Sequence, residues 1–294
     1  MTIPRARFAQ ILGFEEPPVT LLSKNAEQRD GYTLETLRLT IGDTPVRGIL
    51  ARPTHMETPR PAILYAHSHG GGYAIGAREM LDGREYLQEP LGPVLARLGY
   101  IALAIDMPLF GERNTVSESA AAKALLWHGK CLMGQMLSEQ AAALTYLAAR
   151  DDVDATRIGA YGMSMGSTLS YWLAALDDRL KAVAHLNCFA DQRTMIDMGA
   201  HDGHGIYMTV PGLLAETDAG GIAAGIAPRP QLVCLGGSDA LTPMPAIERA
   251  WADLEPAYAN DPEKLERVLD PAAGHEETPA MRRAVLDFFA KFLG

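Results

Sequence analysis

Five short, mostly apolar runs set the strongest limit on what this chain can fold into. They are PAILYAH (61–67), YIALAID (100–106), RIGAYG (157–162), LKAVAHL (180–186) and PQLVCLGG (230–237). A strand with one wet face alternates apolar and polar residues. These runs do not, so they read as strands buried on both faces of a largely parallel sheet. Helical spacing fills the gaps. It appears over 84–98 (Leu87, Leu91, Leu95, Leu98), over the Ala- and Leu-rich stretch 118–149 with Ser117 or Ser119 as cap, and over 165–176 (Met165, Leu169, Trp172, Leu173, Leu176). Thr278 and Pro279 open a last helix whose stripe is Met281, Val285, Phe288, Phe289 and Phe292. A further strand is expected at 265–269. Ahead of the alternation, YTLETLRLTI (32–41) and PVRGILARP (45–53) flank Gly42 and Asp43 and predict a hairpin. A hairpin followed by strand–helix alternation predicts an α/β sheet with helices on both faces.

Residues 1–30 read as an irregular or partly helical N-terminal arm, and 31–294 as a single domain. No repeat or low-complexity linker divides it, and 294 residues suit one large domain. The segment 187–229 breaks the rhythm with Gly, Met, His and Pro. It reads as a lid-like insertion, or wall, between two strands. A composition of 48% hydrophobic and 21% charged residues argues against disorder, collagen or coiled coil. The net charge of -10, with Lys and Arg scattered, argues against a nucleic-acid surface or an anionic membrane. MTIPRARFAQILGFEEPP has neither the apolar core nor the cleavage site of a signal peptide, so the cytoplasm is the expected location. Cys131, Cys188 and Cys234 are far apart and lack metal-type spacing. Cys234 reads as core, and Cys188 as a buried thiol near the functional face.

Gly162-Met163-Ser164-Met165-Gly166 then carries the chemistry. A G-x-S-x-G run is weak evidence alone, because a serine at a strand-to-helix turn often only caps the helix. Here a strand leads in and a helix leads out. That context holds a serine at a tight turn with its hydroxyl above the sheet edge. A serine hydroxyl is a poor nucleophile at neutral pH. It needs a base, and the base needs an orienting acid. Asp239 follows the run 230–237, and His275 follows the strand expected at 265–269. The chain order is therefore Ser, Asp, His, and Asp191 is a rival acid. Attack on a carbonyl also makes an alkoxide that needs fixed N–H donors. The N–H of Met165 is one candidate. The loop HSHGGGYAIGARE supplies the other, with Gly71 or Gly72 as donor.

Together the glycine loop, DMPLFGER (106–113), RIGAYGMSMG, GGSDALTP and AGH resemble the α/β-hydrolase superfamily. Within it the chain is most similar to dienelactone-hydrolase-like and acetyl-xylan-esterase-like esterases, over roughly residues 45–294, with a more distant likeness to prolyl-oligopeptidase-type domains. The resemblance implies an eight-stranded, mostly parallel sheet, a Ser164–His275–Asp239 triad and no cofactor. Dienelactone hydrolases commonly use a cysteine nucleophile, where this chain has Ser164. It also lacks the propeller of the oligopeptidases. Both departures favour a general carboxylic-ester hydrolase, although this fold hosts many reactions.

His67, His69, His201, Asp202 and His204 raise a rival reading, a zinc site. H-D-G-H has the wrong spacing for two ligands one helical turn apart. His67 reads instead as a brace at a strand end. His69, Tyr73, His201, His204 and Tyr207 read as pocket groups that contact substrate, and Arg78 and Glu79 as either pocket groups or an ion pair. The expected function is a serine esterase acting on small or short-acyl esters through an acyl-serine intermediate. Its partner is a small-molecule ester, with no nucleic acid and no membrane. The alternatives are an amidase or peptidase on the same residues, a metal-dependent hydrolase, and a non-catalytic binding protein. The last predicts a missing triad member, and none is missing.

Overall fold

The apolar runs form the inner strands of one sheet. The computed structural model describes residues 2–294. Its strands are β1 (Val19–Arg29), β2 (Tyr32–Ile41), β3 (Thr44–Arg52), β4 (Arg60–Ala66), β5 (Ile101–Ile105), β6 (Val153–Met163), β7 (Leu180–Leu186), β8 (Gln231–Gly236) and β9 (Leu265–Asp270). Their spatial order is β1-β2-β3-β5-β4-β6-β7-β8-β9. The β1–β2, β2–β3 and β3–β5 pairs are antiparallel. The other five pairs are parallel. The mostly parallel α/β sheet is as expected, but it has nine strands rather than eight. The additional strand is β1, within the segment read as an irregular arm. Almost all of β1 is exposed, so no apolar period marks it in the sequence.

The helices are α1 (Arg5–Leu12), α2 (Glu79–Asp82), α3 (Leu91–Arg97), α4 (Glu118–Trp127), α5 (Leu132–Ala148), α6 (Met165–Leu176), α7 (Gln192–Asp197), α8 (Ala219–Ala224), α9 (Met244–Leu254) and α10 (Pro279–Leu293). Side chains alternate across the sheet and make two cores. Leu64 and Leu103 pack with Phe8, Leu144 and Leu169 from α1, α5 and α6. Ile63 and Tyr65 pack with Met80, Leu95, Phe288 and Phe289 from α2, α3 and α10.

Two helices expected from spacing are shorter in the structure. The stretch 118–149 is broken between α4 and α5. Gly129 takes φ 67° there, and Cys131 starts a new helix by accepting the Gly134 N–H. The stretch 84–98 is helical only over Leu91–Arg97, because Pro90 sits at the helix entry and cannot continue an earlier turn. Thr278 and Pro279 cap and open α10 as expected. Among the described residues no helix is long and apolar enough to cross a membrane.

This topology selects one end of the sheet. Chain order reverses where β4 lies between β5 and β6, so the loops after β4 and β6 diverge and leave a crevice at the strands' C-terminal ends.

Candidate active site

Ser164 stands between β6 and α6 with φ 58° and ψ −120°, a conformation that side-chain-bearing residues rarely adopt. Close backbone packing imposes it. A Cβ on Gly162 would lie 2.2 Å from the carbonyl of Gly166, and one on Gly166 would lie 2.0 Å from the Ala66 oxygen. Only glycines let α6 start this close to β4. The Ser164 N–H is anchored to the carbonyls of Leu186 (2.9 Å) and Asn187 (3.0 Å) at the end of β7. The first turn of α6, which begins at Met165, has N–H groups without intrahelical acceptors, as every helix N-terminus does.

Asp239 lies beyond β8 and His275 beyond β9. His275 Nδ1 is 2.7 Å from Asp239 Oδ2. Asp239 is buried and also accepts the Thr242 hydroxyl at 2.7 Å and the Leu241 N–H at 2.9 Å. Burial alone would raise its carboxyl. The bonds and charge of His275, with Thr242 and Leu241, outweigh burial and hold it below the ordinary aspartate value. Ser164 and His275 both line one cavity of about 310 Å³. Asp191 takes no part in it. Its carboxylate caps α7 through the Thr194 N–H and hydroxyl.

The loop after β4 is held from two sides. On one side Glu79 accepts the Ser68 N–H at 2.8 Å and the Tyr65 hydroxyl at 3.1 Å, while Arg84 donates to the Gly70 carbonyl at 3.1 Å. His67 is the expected brace, with Nδ1 bonded to the Ser68 carbonyl and Nε2 accepting the Met107 N–H. On the other side His69 Nδ1 accepts the Gly71 N–H at 3.1 Å, and the His69 carbonyl accepts the Gly72 N–H at 2.9 Å. Gly71 and Gly72, the oxyanion-donor candidates of the sequence, thus both have their N–H groups bonded inside the loop. Among the described residues the N–H groups of His69 and Gly70 have no such partner inside the loop.

His69, His204 and Tyr207 line the Ser164 cavity, together with Tyr86, which the sequence did not single out. His204 bonds the Leu241 carbonyl at 2.8 Å through Nε2. Tyr73 lies one step back, where its hydroxyl donates to Glu118 at 2.7 Å. His201 and Asp202 do not join them. They line a neighbouring cavity of about 440 Å³ between 187–229 and Trp172 of α6, whose apolar wall includes Ile206, Met208 and Leu213. Arg78 pairs with Asp82, and Glu79 is the loop anchor already described. Among the described residues no three His, Cys, Asp or Glu side chains are grouped so as to hold a metal ion.

Comparison with known proteins agrees with this architecture. The model of the family described as "Dienelactone hydrolase family" matches residues 46–224. The Bacillus subtilis (strain 168) protein named "Putative hydrolase YtaP" is 37% identical over 279 residues, covering 94% of this chain and 93% of that one. Among solved structures, "Methylesterase BT1017" superposes with a TM-score of 0.72 at 25% identity, over 98% of this chain and 62% of that one. Acetyl xylan esterase 1 from Thermoanaerobacterium sp. JW/SL YS485 gives a TM-score of 0.70 at 17% identity, over 98% and 92%.

Proposed function

The chain belongs to the dienelactone hydrolase family of the α/β-hydrolase superfamily, and from that premise we propose that it hydrolyses small carboxylic esters through an acyl-enzyme on Ser164. The observation that carries the proposal is the 2.7 Å bond between His275 Nδ1 and buried Asp239, with His275 and Ser164 on one cavity. Asp239 fixes the Nδ1–H tautomer, so the free Nε2 lone pair is the one that accepts the Ser164 proton. Oγ attacks the ester carbonyl. The resulting oxyanion is met by the Met165 N–H and by an N–H of His69 or Gly70. His275 then returns the proton to the departing alcohol. Water, activated by the same imidazole, releases the acid.

The cavity supports a short acyl group. Its rim is polar, with His69, Tyr86 and His204, and its volume is modest. Each buried methylene adds about 0.8 kcal/mol, close to fourfold in kcat/KM, only while apolar wall remains to receive it. We expect kcat/KM across p-nitrophenyl esters to peak between acetyl and butyryl, with Ser164→Ala as the blank. A steady rise to octanoyl would instead mean that acyl chains reach the 440 Å³ apolar cavity, and the short-acyl reading would fail.

The serine mechanism also separates from its metal-dependent rival. Zinc would lower the pKa of a bound water, and its removal would abolish the rate. Exhaustive chelation is expected to leave ester turnover unchanged. Loss of turnover that added Zn²⁺ restores would overturn the serine reading.

A further inference from the structure

A buried carboxylate is unfavourable unless donors surround it. Glu118, the first residue of α4, is 7% exposed and lies outside the Ser164–His275–Asp239 set. Its Oε2 accepts from His69 Nε2 at 2.8 Å and from the Tyr73 hydroxyl at 2.7 Å. Its Oε1 accepts the Tyr207 N–H at 2.9 Å. Burial pushes the carboxyl up, but the His69, Tyr73 and Tyr207 bonds outweigh it and bring it below the ordinary glutamate value. The group facing the imidazole at neutral pH is therefore a carboxylate. Its three donors come from two walls of the Ser164 cavity, the loop after β4 and the segment 187–229.

We propose that Glu118 is a positioning residue for the ester hydrolysis described above: it holds the His69 proton on Nε2, which leaves Nδ1 to accept the Gly71 N–H and so fixes the loop whose free N–H groups face the reacting carbonyl. This rests on the serine-esterase reading. A carboxylate has no proton, so the ring nitrogen it faces must carry one. The other nitrogen then has a lone pair, and the Gly71 N–H lies 3.1 Å from it. Gly70 and Gly71 turn the loop at φ 46° and 67°, where glycine has no intrinsic preference to keep it. The His69 ring is itself clamped, stacked on Tyr207 (5.5 Å) and edge-on to Tyr73 (5.1 Å) and Phe110 (5.2 Å). Gly205 lets the backbone approach closely, since a Cβ there would sit 2.7 Å from Glu118 Oε1 and from the Tyr207 ring.

Glu118→Gln keeps the shape and removes the symmetry of the acceptor. If the amide nitrogen faces Tyr207, two donors collide there. If it faces His69, the imidazole must reverse its tautomer, and Nδ1–H then points at the Gly71 N–H. Either way one donor meets another. A displaced oxyanion donor weakens the transition state more than the ground state. We expect kcat to fall about 10- to 100-fold, below the roughly 10²–10³ of deleting a donor outright, with KM changed less than about threefold. In a cycle with His69→Ala, the double variant should lose about as much as His69→Ala alone, because Glu118 acts through that ring. Additive losses, or a kcat within about twofold of wild type, would overturn the proposal. Nitrogen NMR of the wild-type imidazole decides the matter even if the variants fold poorly: His69 must be the Nε2–H tautomer at neutral pH, and an Nδ1–H tautomer refutes the clamp. Turnover that survives Ser164→Ala would refute the esterase reading instead, and would leave the tautomer measurement to test the clamp separately.

Discussion

Ser164→Ala is expected to lower kcat on p-nitrophenyl acetate by at least about 10⁴-fold, because the nucleophile is lost and only the electrostatics of the site remain. The loss should appear in kcat, with the fold unchanged. Alanine keeps the Cβ, so the strained φ of 58° costs no more in the variant than in the parent. The N–H bonds to Leu186 and Asn187 are backbone bonds and survive the substitution. The melting temperature should therefore move by no more than a degree or two. A serine-directed phosphonate should label Ser164 in the parent and leave the variant unlabelled, which peptide mass reads directly. Ester hydrolysis near the parent rate by the folded variant would remove Ser164 from the mechanism.

The parts of this molecule that announce themselves in sequence are those where burial and backbone geometry restrict residue choice. The inner strands β4 to β8 are legible because a sheet covered on both faces accepts little but apolar residues. The turn at Ser164 is legible because a Cβ at 162 or 166 would overlap backbone. Strand β1 was not legible, since exposure on both faces leaves no period to read. Glu118 was hidden for a different reason. An acidic residue just after a capping serine is what any helix favours near its N-terminus. Nothing local distinguishes such a group from one whose carboxylate reaches back to His69 and across to Tyr207. The choice of donor among the loop glycines was hidden in the same way. Which N–H a loop leaves free depends on the His69 ring, and ring placement is a tertiary fact. Tyr86 likewise lines the cavity while bonded to Ser68, 18 positions earlier, a contact that no local pattern announces.

Asp239→Asn is the second substitution with a large expected effect, about 10⁴-fold in kcat, and it acts through a proton on another residue. In the parent, Oδ1 accepts the Leu241 N–H, while Oδ2 accepts both the Thr242 hydroxyl and the proton on His275 Nδ1. Asparagine can keep the Leu241 bond only by placing its NH₂ where Oδ2 was. His275 must then present a lone pair at Nδ1 and carry its proton on Nε2. That is the wrong tautomer to accept a proton from Ser164. Binding contacts are untouched, so KM should change little. Asp191→Asn is the control. Asparagine caps a helix about as well as aspartate, and its Oδ1 can still accept the Thr194 N–H and hydroxyl, so both stability and kcat should change little. The pH dependence has a definite sign. The folded Asp239 carboxyl lies below its unfolded value of about 3.9, so its contribution to stability is complete above that pH and is lost as pH falls through the lower folded value. The parent should therefore lose stability on acidification below about pH 4 more steeply than Asp239→Asn, as read from melting temperatures. If Asp191→Asn proved the more damaging to kcat, the acid would have to be sought at the end of β7 rather than β8.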